Sequence, residues 1–104
     1  MRRTVRVRGR GTARIAAYGV ADAEHLVEKE LTRLWPAAHV RIERVSRTGA
    51  PRIVEEFEVA YRLEGDQEVE APGPEEAASA AFRQARGLLD GSRYGRTEWQ
   101  KIEN

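Results

Sequence analysis

Cysteine is absent from the 104 residues, which excludes disulfides and thiolate metal sites. Aromatic side chains are few: two Trp, three Tyr and two Phe. Any core must therefore be built largely from Val, Leu, Ile and Ala. No apolar run approaches the ~20 residues that cross a bilayer. The basic start of the chain lacks the apolar stretch of a secretory signal. Together these absences imply a cytoplasmic protein without membrane contact. Lysine is nearly missing as well, with two Lys against 16 Arg. Such a bias can reflect genome composition, so arginine content alone is no sign of nucleic-acid binding.

Charge is plentiful. It accounts for 34% of residues, against 40% hydrophobic, a balance that suits one thin core beneath a sheet. The net charge of +1 hides a division. Residues 1–52 carry 12 basic and 5 acidic side chains (+7), and residues 53–104 carry 6 and 12 (−6). Polarity of that kind favours contact between the halves, within one molecule or between molecules.

The longest patterned stretch runs from Arg52 to Ala71. Ile53, Phe57, Val59, Tyr61 and Leu63 share one parity, and Glu56, Glu58, Arg62 and Glu64 share the other. That alternation describes a strand with one dry face. Gly65-Asp66 reads as a turn, with Val69 and Ala71 on a returning strand. The start of the chain repeats the form: Val5 and Val7 alternate with Arg6 and Arg8, Gly9-Arg10-Gly11 reads as a turn, and Ala13, Ile15 and Ala17 continue the apolar face. Each of these hairpins reads alternatively as one long bent strand.

Ala23, Leu26, Val27, Leu31 and Leu34 form one helical stripe, with Asp22 as N-cap and Trp35-Pro36 as the stop. His39 to Arg47 is a strand whose parity breaks at Val45, the mark of a bulge or an end. Thr48 to Pro51 is a loop. Pro74 opens a second helix whose buried stripe is Ala78, Ala81, Phe82, Ala85, Leu88 and Leu89, and Asp90-Gly91 closes it. Arg96 to Glu103 is the last strand, carrying Trp99 and Ile102.

The halves resemble each other. A shift of 54 aligns Val5 with Val59, Arg8 with Arg62, Gly11 with Gly65, Ala17 with Ala71, Gly19 with Gly73, Ala23 with Ala77 and Leu34 with Leu88. Repeats over 4–47 and 58–103, each ββαβ, fit within one α+β domain of residues 1–104. With each first hairpin taken as a bent strand, the order is β-α-β-β-α-β, the ferredoxin-like arrangement. The expected fold is an antiparallel sheet with both helices on one face and the other face open, and with Leu31, Phe57, Tyr61, Phe82 and Trp99 in the core.

The helix Ala23–Trp35, the strand His39-Val40-Arg41-Ile42-Glu43-Arg44-Val45 and the segment Val59-Ala60-Tyr61-Arg62-Leu63-Glu64 place residues 20–64 in a weak resemblance to dodecins. These are small flavin-binding proteins built as strand, helix, strand, strand. The resemblance implies a hollow oligomer and a small-ligand site. The position of the family's flavin-stacking tryptophan falls on His39, so flavin binding is not implied, and no cofactor is expected.

No catalytic or metal-ligating set is expected. His25 and His39 stand apart, and Ser46, Ser79 and Ser92 accompany no histidine in a motif. Glu55 has inward parity but is expected at the exposed start of its strand. The strongest local signal is the run of arginines, with Arg6, Arg8, Arg10 and Arg14 as candidate partner-binding or phosphate-binding residues. Glu56, Glu58, Glu68 and Glu70, with Glu64, are the candidate carboxylates to meet them. The sequence thus points first to a non-enzymatic binding or scaffold protein that self-associates as a homo-oligomer. An RNA- or DNA-binding protein using the Arg-rich segment comes second, and a small-ligand binder or enzyme with a pocket between sheet and helices, near Tyr61 and Trp99, third.

Overall fold

The computed structural model describes residues 1–50 and 52–102. Pro51 of the expected loop and Glu103 of the expected last strand lie outside the described residues. The fold is α+β: β1 (Arg2–Ala17), α1 (Val20–Leu34), β2 (His39–Arg47), β3 (Glu55–Glu70), α2 (Pro74–Leu89) and β4 (Glu98–Lys101). The four strands form one antiparallel sheet in the order β2-β3-β1-β4. No helix among the described residues is long and apolar enough to cross a membrane.

The two expected hairpins are single strands. β1 runs straight through Gly9-Arg10-Gly11 and β3 through Gly65-Asp66, and the two pair along their whole length, from Arg2 with Glu70 to Ala17 with Glu55. The glycines signalled a turn, yet none of the three has a positive φ. Their missing side chains make room instead. A Cβ on Gly9 would lie 2.6 Å from the Thr97 methyl and 2.7 Å from the Trp99 ring. One on Gly11 would lie 2.5 Å from the Tyr61 hydroxyl, and one on Gly65 would lie 2.5 Å from the Trp35 ring. Glycine here permits close approach across a strand.

Odd-numbered residues of β1 and β3 face the helices. Val5, Val7, Ala13, Ile15, Phe57, Val59, Tyr61 and Leu63 are all buried. α1 starts beside the Ala17–Glu55 end of the pair, and α2 starts beside the Arg2–Glu70 end. At ~1.5 Å per helical residue and ~3.3 Å per strand residue, each helix is about half as long as the strands. Aromatics fill the middle: Trp35 and Trp99 meet with ring centroids 6.0 Å apart, and Tyr94 stands edge-on to Tyr61 at 5.3 Å. The molecule is accordingly long, 54 × 26 × 19 Å.

Details at the helix ends correct the sequence reading. α1 begins three residues early, at Val20, with Gly19 as N-cap. Asp22 lies inside the first turn, and its carboxylate reaches back to accept the Tyr18 N–H at 3.0 Å, a variant of the capping box. In α2 the buried stripe is Ala77, Ala81, Ala85 and Leu89. Ala78 and Phe82 flank it, and Leu88 is exposed. The i, i+4 alanines let the helix lie close to the sheet, which turns Leu88 outward. Pro74 opens α2 as expected, and Gly91, at φ +78°, follows its C-cap Asp90. The bulge expected near Val45 lies between Ile42 and Arg44.

A candidate anion-binding face

Even-numbered residues of β1 and β3 form the open face. The register decides which charges meet there. Arg6 lies opposite Asp66 and Arg8 opposite Glu64. The Arg8 Nε donates to the Glu64 carboxylate at 2.7 Å, and Arg6 sits 3.3 Å from Asp66 and 3.8 Å from Glu64. Arg2 pairs with Glu68, and the N-terminal amine lies 3.7 Å from Glu70. Within one chain, Arg8 meets Glu64, one of the carboxylates expected from the sequence, whereas Asp66 beside Arg6 and Glu43 near Arg10 were not among them. A hairpin would have offered Glu56 and Glu58; the straight antiparallel ladder puts these opposite Ala16 and Arg14. The division of charge between the chain's halves is therefore largely neutralised inside the molecule.

Glu64 is the hub. Its bond from Arg8 pulls its carboxyl below the usual range, and the charges of Arg8, Arg62 and Arg6 add to this against a partial loss of hydration. Arg62 approaches the same carboxylate at 3.9 Å. One carboxylate therefore serves three guanidinium groups, which leaves positive charge in surplus.

That surplus collects in a row. Arg41 of β2 lies opposite Arg62 of β3, and Arg62 lies opposite Arg10 of β1. Three arginines therefore stand side by side across three strands, ~5 Å from one to the next. Like charges directly opposite each other across a ladder destabilise it. The compensation is slight: Arg10 has Glu43 at 3.9 Å, and among the described residues no carboxylate lies within ion-pair distance of Arg41, Arg44 or Arg14. Arg44 enters the face at the bulge, opposite Ala60. His39, Val40, Arg41, Arg62 and Glu64 line a shallow cavity of about 330 Å³. An open hollow of about 480 Å³ beside Arg10, Gly11, Thr12, Arg96 and Glu98 flanks the other end of the row.

Of the residues singled out from the sequence, Arg10 belongs to this row, while Arg6 and Arg8 are held by carboxylates. Arg14 is exposed one strand-turn further along, opposite Glu58. Arg41, Arg44 and Arg62 were missed. Reflecting the start of the His39–Arg47 strand onto the next one about the bond between residues 51 and 52 sets Arg41 against Arg62, a signal the alternation alone does not give. Glu55 opens β3 and is covered rather than exposed: its carboxylate accepts from Arg47 Nε at 3.2 Å, and its side chain is 12% exposed.

On the opposite side of the sheet Tyr61 is sealed, while Trp99 borders a small hollow of about 100 Å³ with Arg8, Arg10, Glu98 and Gln100. Tyr61 is 1% exposed and shares a 2.5 Å hydrogen bond with Thr97. Tyr94, equally buried, donates from its hydroxyl to Glu30 at 2.7 Å. Burial raises the pKa of both phenols; for Tyr94 the neighbouring Glu30 raises it further. Both phenols are thus held in the interior by a hydrogen bond. No family model, curated protein or solved structure matches the chain.

Proposed function

We propose that this protein is a non-enzymatic module that binds single-stranded nucleic acid by its phosphate backbone, on the open face of the sheet. The observation that carries the reading is the row Arg41–Arg62–Arg10, in register on the open face. Among the described residues Arg41 has no carboxylate within ion-pair distance, Arg62 and Arg10 each reach one only at 3.9 Å, and Glu98 ends the row opposite Arg10. An extended polyanion laid across the strands would neutralise the row. Arginine also matches phosphate oxygens in a two-pronged geometry. No aromatic side chain interleaves with the arginines, so bases have no stacking platform. Binding is then electrostatic, weak and indifferent to sequence.

The ferredoxin-like reading accompanies this proposal. Its support is the β-α-β-β-α-β order with β1 and β3 in the middle, and helices that begin 54 residues apart at Val20 and Pro74. The same offset supports an internal repeat. The 16-residue central strands set the arrangement apart from a simple ferredoxin fold.

Fluorescence anisotropy with a labelled oligonucleotide tests the function. With about three phosphate contacts, the logarithm of affinity should fall against the logarithm of salt with a slope of about −2. Arg41→Ala with Arg62→Ala should lower affinity by about tenfold or more, whereas Arg83→Ala with Arg86→Ala, on α2, should leave it unchanged. Absence of binding at low salt, or equal losses in both pairs, would refute the proposal.

A further inference from the structure

β1 and β3 pair with each other along their full length, but their outer sides are only partly covered. β4 covers Val7 to Arg10 of β1, and β2 covers Phe57 to Glu64 of β3. The Arg6 carbonyl accepts from the Ile102 N–H, and the Glu56 carbonyl accepts from the Thr48 N–H. Peptide groups alternate sides along a strand, and the β1–β3 register never shifts. The N–H and C=O groups of Thr12, Arg14 and Ala16 therefore point off one edge of the sheet. Those of Asp66, Glu68 and Glu70 point off the opposite edge. Among the described residues, the one hydrogen bond to any of these groups comes from Arg93, whose Nη1 donates to the Arg14 carbonyl at 3.1 Å.

The two bare edges carry side chains of opposite sign. Arg10, Arg14, Arg93 and Arg96 surround the first, with Arg10 and Arg93 reaching Glu43 and Glu30. Asp66, Glu68 and Glu70 line the second, met from β1 by Arg6, Arg2 and the N-terminal amine. Arg14 has no carboxylate within ion-pair distance among the described residues. Uncovered strand edges of this length are templates for further pairing. We propose that a second copy of this chain docks there, the Asp66–Glu70 edge of one copy pairing antiparallel with the Thr12–Ala16 edge of the other. Because β1 and β3 already run antiparallel, copies related by a shift continue the alternation of the sheet. Arg14 then stands opposite Glu68 of the second copy. A two-fold dimer joining like edges would set Arg14 against Arg14, or Glu68 against Glu68, which cross-strand repulsion disfavours. Each copy carries one edge of each kind, so the contact is head to tail and can repeat. It is polar, and salt weakens it. It borders the arginine row at Arg10 but needs neither Arg41 nor Arg62.

Proline variants give a direct test. Thr12→Pro and Glu68→Pro each remove one outward N–H and no rung of the β1–β3 ladder, a position strands tolerate at an edge. By sedimentation at low salt, the unaltered protein should associate with rising concentration, and each variant alone should be monomeric. Mixed in equal amounts, the two variants should form a heterodimer and stop there, because each supplies the edge the other lacks. The proposal is overturned by an unaltered protein that stays monomeric at low salt. It is overturned equally by a Glu68→Pro protein that still associates by itself, since that outcome means pairing of like edges. If circular dichroism shows that a proline variant does not fold, Arg14→Glu and Glu68→Arg replace the pair. Each should weaken association by about tenfold, and both in one chain should restore it. Folded proteins without that restoration also overturn the proposal.

Discussion

The two faces of the β1–β3 ribbon share one backbone and one register, yet they do different work. The odd-numbered face holds Phe57, Val59, Tyr61 and Leu63, each 0–1% exposed, beside glycines that let Trp35, Trp99 and Tyr61 lie flat on the strands. The even-numbered face holds arginines and carboxylates whose side chains keep a fifth or more of their surface in water. Burial of a large side chain stabilises by about 1.5–3 kcal/mol. An exposed ion pair contributes about 0.2–1 kcal/mol. Stability should therefore reside on one face, which leaves charge on the other free to serve recognition.

Substitutions can break that comparison. Phe57→Ala should cost the most, about 3–5 kcal/mol, read as a lower urea midpoint. A loss below 1 kcal/mol would mean that the covered face does not carry the fold. Gly65→Val comes next. Its Cβ meets the Trp35 ring at 2.5 Å, and Trp35 is itself buried, so about 1–3 kcal/mol should be lost and tryptophan fluorescence should shift with it. An unchanged spectrum would show that the ring is free to move.

Titration sharpens the contrast. Tyr61 and Tyr94 have raised pKa values because burial opposes the phenolate. Their contribution is complete below the unfolded value of about 10 and is lost as pH rises above it. Phenolate absorbance should therefore appear together with loss of near-ultraviolet dichroism; phenols that ionise in the folded state would contradict the packing described. Glu64 behaves oppositely. Its lowered pKa adds stability above the ordinary carboxylate range, lost as pH falls through the depressed value. Glu64→Gln should remove that acid-side dependence at a cost below about 1 kcal/mol at neutral pH, since the group is partly hydrated. An acid limb identical in the variant would place the dependence elsewhere.

Much of the covered face was legible in sequence, because parity is a property of the chain alone. Val5, Val7, Ala13, Ile15, Phe57, Val59, Tyr61 and Leu63 all fall where alternation puts them. Proline at Pro74 and glycine at Gly91 marked the ends of α2 for local reasons. What could not be read locally was why Gly9, Gly11 and Gly65 are glycines. A turn and a seat for an aromatic ring leave the same letter in the sequence, and only the partner, tens of residues away, distinguishes them. Tyr94 was missed similarly. It sits in a short loop with no periodicity, and its burial depends on Tyr61 and Glu30. The arginine row was hidden because it is a product of register across three strands.

The full-length β1–β3 ladder also bears on how the chain reaches this state. Its nearest rung joins residues 38 positions apart, Ala17 with Glu55, and its farthest joins residues 68 apart, Arg2 with Glu70. The β2–β3 hairpin closes over a much shorter separation, from Arg47 with Phe57, so its loop-closure entropy is lower. β1 is synthesised before β3 and must wait for a partner that begins at Glu55. During that wait its two glycines and crowded arginines disfavour premature strand pairing. Residues that later seat aromatic rings would thus also keep the nascent strand apart from its neighbours until β3 has been made.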